Sequence, residues 1–320
     1  MQPTISFASL FHDGKPMRKL LPFLLKDWTT GMNIVWATET YARFGAFYHA
    51  DRQMFPDFDI NLIMDGHLLP RVQKTKEEQQ VRTKKKAEVF TPSWLCNIMN
   101  NFADEDWFRR KNVFNIEKEQ AWETTKMPIQ FQKRFGWQKY VLSPRLEITC
   151  GEAPYLVSRY DTVTGDPIPI ADRIGMLDRK LRVVNENAVS DATWCDWATR
   201  AFQSVYGYEF QGDNLFFARV NLVQTFIDYY EARFHALPSM QRLQRIAEIV
   251  SKNVWQMDGL KGTVPFQPKE GFPDDDGEKD EQEDVFGFLE MEGADELPPC
   301  KVWDWQKREV VLFRDIKAGQ

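Results

Sequence analysis

The chain has 320 residues, a formal charge of −6 from 41 basic and 47 acidic side chains, and 14% aromatic content with 11 tryptophans. That length supports one large domain or two ordinary ones with a sizeable core, and the aromatic content excludes a disordered chain. The charge does not exclude DNA: acid crowds Asp274 to Asp284, whereas Arg71 to Lys86 is strongly basic.

Four cysteines, Cys96, Cys150, Cys195 and Cys300, are widely separated, with no C-x-x-C pair and no secretory leader ahead of them. A reducing cytoplasmic location is the expectation. The apolar stretches are too short to span a bilayer, so no membrane segment is expected.

In chain order, Leu20, Leu21, Phe23, Leu24 and Leu25, broken by Pro22, form an N-terminal packing arm that belongs to an irregular segment 1–70. Asn33 to Ala37 reads as a short buried strand, and Asp57 to Leu69 as a strand or a helix. Lys74 to Ala87 lacks Gly and Pro and predicts an exposed helix. Its Lys74, Arg82, Lys84, Lys85 and Lys86 form either a solvated face or a set of phosphate contacts to nucleic acid. Thr91 can cap a helix with Pro92 at its first position and Leu95, Ile98 and Met99 inside.

Trp107 to Pro144 reads as an irregular connection. The run from Tyr140 to Ile148 predicts a strand, followed by a glycine loop at Gly151 and a helix over Ala153 to Tyr160. Thr162 to Ile170 carries a hairpin turn signal at Thr164-Gly165-Asp166-Pro167. Asp172 can cap a helix with Ile174, Leu177, Leu181 and Val184 on one side, and Ser190 another with Trp194, Trp197, Ala198, Ala201 and Phe202. Ser204 to Phe210 predicts a second strand. A long helix follows from Gly212 and Asp213 until Pro238, then another from Ser239 to Ser251, then a third strand from Asn253 to Met257. The acidic stretch Lys269 to Glu296 reads as a linker, and 297–320 as a closing hairpin.

Three strands therefore end in Glu147, Glu209 and Asp258, in an alternation that predicts an α/β fold with a mostly parallel sheet and flanking helices. Carboxylates at adjacent strand ends converge on one rim, where open α/β sheets bind ligands. An acid beside Gly151 can neutralise an α-ammonium group, Glu209 can accept ribose hydroxyls, and Asp258 can accept from an adenine amino group. S-adenosyl-L-methionine needs all three. No G-x-G-x-x-G and no P-loop motif occurs.

At these residues the chain resembles the amino-directed adenine DNA methyltransferases of bacterial restriction-modification systems, of the restriction subunit M type. Glu88-Val89-Phe90-Thr91-Pro92 is similar to that family's E-x-F-T-P. Glu147-Ile148-Thr149-Cys150-Gly151-Glu152-Ala153-Pro154-Tyr155-Leu156 resembles D-P-x-C-G-S-G-x-F-L, with Glu152 for Ser and Ala153 for the second Gly. Glu209 with Ala218-Arg219-Val220-Asn221-Leu222 resembles an acid followed by A-x-x-N-L, and Asp258-Gly259-Leu260 resembles D-x-L.

The resemblance covers residues 71–266 and implies a Rossmann-like S-adenosylmethionine-dependent methyltransferase fold. It implies cofactor contacts at Phe90, Thr91, Pro92, Glu147, Thr149, Cys150, Gly151, Glu209, Phe210, Asp258, Gly259 and Leu260. The catalytic N-P-P-Y is missing: Leu297-Pro298-Pro299-Cys300 has the prolines without the polar acceptor or the ring. The expectation is the cofactor-binding subunit of a split adenine-specific DNA methyltransferase in a restriction-modification or phage-defence system. DNA and a second protein subunit carrying N-P-P-Y are then the partners. The alternative is an inactive DNA-binding or assembly scaffold, which the changes at Ile148, Glu152 and Ala153 favour. Methylation of RNA or protein ranks last.

Overall fold

The computed structural model describes residues 7–86, 91–132, 136–266 and 297–318. Its helices are α1 (Pro16–Leu24), α2 (Pro56–Met64), α3 (Lys76–Lys86), α4 (Ser93–Phe108), α5 (Gly136–Leu142), α6 (Met176–Asn187), α7 (Asp191–Gln203), α8 (Gly212–Phe234), α9 (Met240–Asn253) and α10 (Phe313–Ala318). The strands are β1 (Asn115–Lys118), β2 (Ala121–Thr124), β3 (Arg145–Glu147), β4 (Val205–Glu209), β5 (Val254–Gln256), β6 (Lys301–Asp304) and β7 (Glu309–Leu312). β1 pairs β2 and β6 pairs β7, both antiparallel. The central sheet is small, parallel and ordered β3-β4-β5, with Glu147 opposite Gly207 and Glu209 opposite Gln256.

The molecule is an α/β protein in which helices carry most of the core. α8 is buried nearly all round, from Leu215 and Phe216 to Tyr229, the pattern of a helix enclosed by other elements. Its first half holds a fully buried arginine. Arg219 donates to the carbonyls of Leu24, Lys26, Ser251 and Val254, tying α1, α9 and β5 to one side chain. Burial lowers the Arg219 pKa to about 10, with Asp27 and Cys150 opposing that shift. The N-terminal arm, from Phe7 to Leu25 and on through Trp36, packs into this same core.

Several elements form as expected. Ser190 caps α7 by accepting from the Thr193 N–H, and Ser239 caps α9 by accepting from the Arg242 N–H. Leu177, Leu181 and Val184 are buried along α6, although Gly175, rather than Asp172, stands at its N-cap. The closing hairpin is β6-β7.

Others differ, each for a physical reason. α1 runs through Pro22, which therefore does not break the leucine cluster. Residues 57–64 are helical, and Asn33 and Val35 make only isolated bridges, to Lys26 and Gln53. The run Tyr140–Ile148 is not one strand: Tyr140 and Val141 end α5, Pro144 follows the break, and only Arg145–Glu147 is extended. No helix follows Gly151, because Ala153 takes a left-handed φ of 66° and Glu147 captures the Tyr155 and Leu156 N–H groups. The 107–144 connection contains both β1-β2 and α5.

α4 is rotated from its expected orientation. It buries Cys96, Asn97, Asn100, Asn101 and Asp104 and leaves Met99 exposed. The cause is Arg179 of α6, a buried guanidinium that donates to Asp104, Asn97 and Asn101. A buried cation needs acceptors, and an apolar inner face would leave it unpaired. Among the described residues no helix is long and apolar enough to cross a membrane.

Candidate functional site

The rim at the carboxyl ends of β3, β4 and β5 is built around the loop that follows Glu147. This glutamate is buried; its Oε1 accepts from the Tyr155 N–H (3.3 Å) and its Oε2 from the Leu156 N–H (3.0 Å). Burial pushes its pKa from 4.5 up to about 8, the two N–H groups oppose that, and the nearby Glu209 carboxylate adds to it. Glu209, also buried, accepts from the Gln211 N–H through Oε1 (3.1 Å) and from the Gly151 N–H through Oε2 (2.9 Å). The two acids thus grip one loop from adjacent strands.

The loop backbone alternates into left-handed conformations at Thr149 (φ 44°), Gly151 (φ 53°) and Ala153 (φ 66°). Such angles strain any residue with a Cβ, so Thr149 and Ala153 hold them against their own preference. Cys150 anchors the centre: its N–H donates to the Tyr208 carbonyl, and its side chain is buried against Gly207, where a Cβ would approach Sγ to 3.3 Å. Burial raises the Cys150 thiol pKa well above its usual range. Thr149 and Ile148 face outward, and Gly151 is half-buried.

Glu152, which stands where the resembled family has serine, turns inward. Its Oε1 accepts from the Arg71 N–H (2.6 Å) and its Oε2 from the Tyr160 hydroxyl (2.9 Å), while Asn221 donates to the Glu152 carbonyl. Its charge is therefore used in joining the loop to α8 and to the segment ahead of α3. The Glu152–Tyr160–Asn221 linkage was not legible beforehand; its only signal is the Asn221 of the A-x-x-N-L match.

Thr91 and Pro92 lie beside the loop. Cys96 Sγ and Thr162 Oγ1 both donate to the Thr91 carbonyl. Phe90 lies outside the described residues. Phe210 is half-buried, its ring 6.3 Å from that of Phe266.

Asp258 is placed differently from the two glutamates. It stands beyond β5, and its Oδ1 accepts from the Leu260 and Lys261 N–H groups, closing its own turn. Gly259 lies under the Tyr208 ring, where a Cβ would come within 2.8 Å of Cε2, and Leu260 is fully exposed. The structure brings Thr91, Pro92, Glu147, Thr149, Cys150, Gly151 and Glu209 to one loop, and leaves Asp258, Gly259 and Leu260 on a separate turn of the same rim.

The basic residues divide. Lys74 and Arg82 are not free for phosphate: both are buried against Asp213 at the start of α8. Lys74 Nζ lies 3.1 Å and Arg82 Nη1 2.9 Å from Asp213 Oδ2, and Tyr41 donates to the same oxygen. Arg82 reaches Asp213 from α3 and Lys74 from the turn just ahead of it. Lys84 is exposed, whereas the side chains of Lys85 and Lys86 lie outside what is described.

Two clefts lie elsewhere. One of about 890 Å3 lies between residues 120–126 and 167–173, and one of about 170 Å3 lies at Trp107 to Arg110. Among the described residues no group of three His, Cys, Asp or Glu is arranged to hold a metal ion. Comparison with protein-family models, with curated proteins and with solved structures finds no match to this chain.

Proposed function

We propose that the chain is the S-adenosylmethionine-binding subunit of a split adenine-specific DNA methyltransferase in a restriction-modification or phage-defence system. The supporting observation is the pairing of buried Glu147 and Glu209, on adjacent parallel strands, across the single loop that carries Gly151. A sulfonium nucleoside with an amino-acid tail matches that chemistry. Glu147 offers a carboxylate to the α-ammonium group, Glu209 offers acceptors to the ribose diol, and the backbone at Gly151 can approach the ligand without a Cβ between them. Asp258, Gly259 and Leu260 contribute the adenine end. The Asn or Asp acceptor and aromatic ring that methylation of an exocyclic amine requires are assigned to a partner chain.

The reading predicts that the purified chain binds the methyl donor and does not methylate adenine in DNA, and that activity appears only with the N-P-P-Y chain present. Methylation by the chain alone would overturn the split-enzyme assignment. A second reading, an inactive scaffold, is favoured by one observation: the oxygens of Glu147 and Glu209 already accept from loop N–H groups. Absence of any heat on titrating the chain with S-adenosylmethionine would establish that alternative.

A further inference from the structure

The two carboxylates that the proposed function offers to a ligand are closed off from solvent. Glu147 and Glu209 are each only 6% exposed. What closes them is the chain itself: Glu209 Oε2 holds the Gly151 N–H, and Glu147 holds the Tyr155 and Leu156 N–H groups. A ligand's ammonium and hydroxyl groups need these same oxygens. Buried carboxylates give up such hydrogen bonds only to donors that replace them.

The covering segment is held against its own backbone preference at two points, one on each side of Gly151. Thr149 takes a φ of 44° and Ala153 a φ of 66°. Thr149 is β-branched, for which a left-handed φ is an outlier, and Ala153 precedes Pro154, whose ring favours extended backbone at the residue before it. Strain of this kind persists only where surrounding contacts over-determine it, and it gathers at ligand clamps and switch segments. Here those contacts include the two acids. Other ties limit the range of any change: the Cys150 N–H is on the Tyr208 carbonyl, and Glu152 is on the Arg71 N–H and the Tyr160 hydroxyl. A relaxed alternative is written in the sequence. Extended backbone at Ala153 sets Pro154 at the first position of the helix expected over Ala153 to Tyr160, and the first N–H groups of a helix have no partner within it. The Tyr155 and Leu156 N–H groups then no longer need Glu147.

We infer that residues 148–156 form a strap that closes the candidate site by occupying Glu147 and Glu209. Its hinges are Thr149 and Ala153, and a ligand opens it by setting its own donors in place of the Gly151, Tyr155 and Leu156 N–H groups. The strain at the hinges favours release, so the occupation of both acids by the chain regulates the site rather than abolishing it. The identity of the ligand, S-adenosylmethionine, rests on the proposed function; the strap rests on the backbone angles and hydrogen bonds.

Hydrogen exchange and titration with S-adenosylmethionine, both on the full chain, test this. Saturation is expected to speed exchange of the Gly151, Tyr155 and Leu156 amides at least tenfold, while the Cys150 amide keeps its rate. Thr149→Gly takes strain out of the closed strap. It should slow Gly151 exchange in the chain by itself at least fivefold and weaken S-adenosylmethionine binding at least fivefold, about the shift that one residue's left-handed strain supplies. Thr149→Ala keeps the Cβ and should bind within about twofold of the native chain. Equal weakening in the two variants would make Thr149 a ligand contact and overturn the strap. Unchanged or slower exchange of the three amides on saturation, or native affinity in Thr149→Gly, would also overturn it. If the native chain gives no heat with S-adenosylmethionine, the functional reading falls, and exchange in the chain by itself decides the strap. Slower Gly151 exchange in Thr149→Gly then sustains it, and unchanged or faster exchange overturns it.

Discussion

Glu147 is the side chain on which the chemistry of the rim turns. Its pKa of about 8 is raised above the unfolded value of 4.5, so the folded state holds a proton that the unfolded chain has released. Its stabilising contribution is full below about pH 4.5 and is lost as pH rises through about 8. Glu147→Gln should flatten that part of the stability–pH curve, as measured by urea unfolding between pH 5 and 9; an unchanged slope would place the titration on another group. The same raised pKa has a consequence for ligands. A cationic tail binding at Glu147 displaces its proton, so titration with S-adenosylmethionine at pH 7 should give heats that depend on the buffer's ionisation enthalpy, and Glu147→Gln should remove that dependence. A second residue tests the backbone's approach. A Cβ at Gly212 would lie 2.1 Å from the Val35 carbonyl oxygen, so Gly212→Ala should cost about 3 kcal/mol by forcing the N-terminal arm away from α8, read as a lowered urea midpoint.

At the scale of elements, two attachments decide how the periphery holds. α3 is joined to α8 through Asp213. Burial alone would raise this carboxyl, but Arg82 and Lys74 outweigh it and hold it well below the usual carboxylate range. This contribution is therefore present above the unfolded carboxylate pKa of about 4 and is lost on acidification below it, the opposite sense to Glu147. Asp213→Asn removes the carboxylate that Arg82 and Lys74 share and should cost about 3–5 kcal/mol, with early proteolytic cleavage within α3 as the local readout. The β6-β7 hairpin is held on α9 by Lys252, whose Nζ lies 4.3 Å from the Trp28 ring and 4.5 Å from the Trp303 ring and pairs with Glu248 at 2.7 Å. Lys252→Met keeps the stem and removes the charge; a loss of about 2 kcal/mol and faster amide exchange in Lys301–Asp304 are expected. The elements also separate what the sequence could reveal from what it could not. α7 and α9 were legible because a serine cap and an apolar stripe agreed, and β4 and β5 because each apolar run ended in acid and glycine. α4 was misread because its partner, the buried Arg179, lies 75 residues away from Asp104 and reverses which face is inside. The Tyr140–Ile148 run was misread because apolar composition does not distinguish a buried helix end from a strand. Strand order grouped Glu147, Glu209 and Asp258, of which the structure sets the first two on the Gly151 loop and the third on its own turn, while Thr91 entered only through the resemblance. The diversion of Lys74 and Arg82 to Asp213 depends on a contact more than a hundred residues distant, which charge patterning cannot reveal.

For the molecule as a whole, the fold presents a small parallel sheet whose acid-bearing rim is closed by one loop and whose outer edge is uncovered among the described residues. The cofactor half proposed for this chain, completed by a second one, accounts for both features. Its central claim is that Glu147 and Glu209 hold one sulfonium nucleoside. Isothermal titration with S-adenosylmethionine, using the intact chain and its Glu209→Gln variant, tests this most directly. The account predicts saturable one-to-one binding by the native chain and at least tenfold weaker binding by Glu209→Gln, measured where both proteins are folded. No heat with the native chain, or equal affinity in the two proteins, would contradict it.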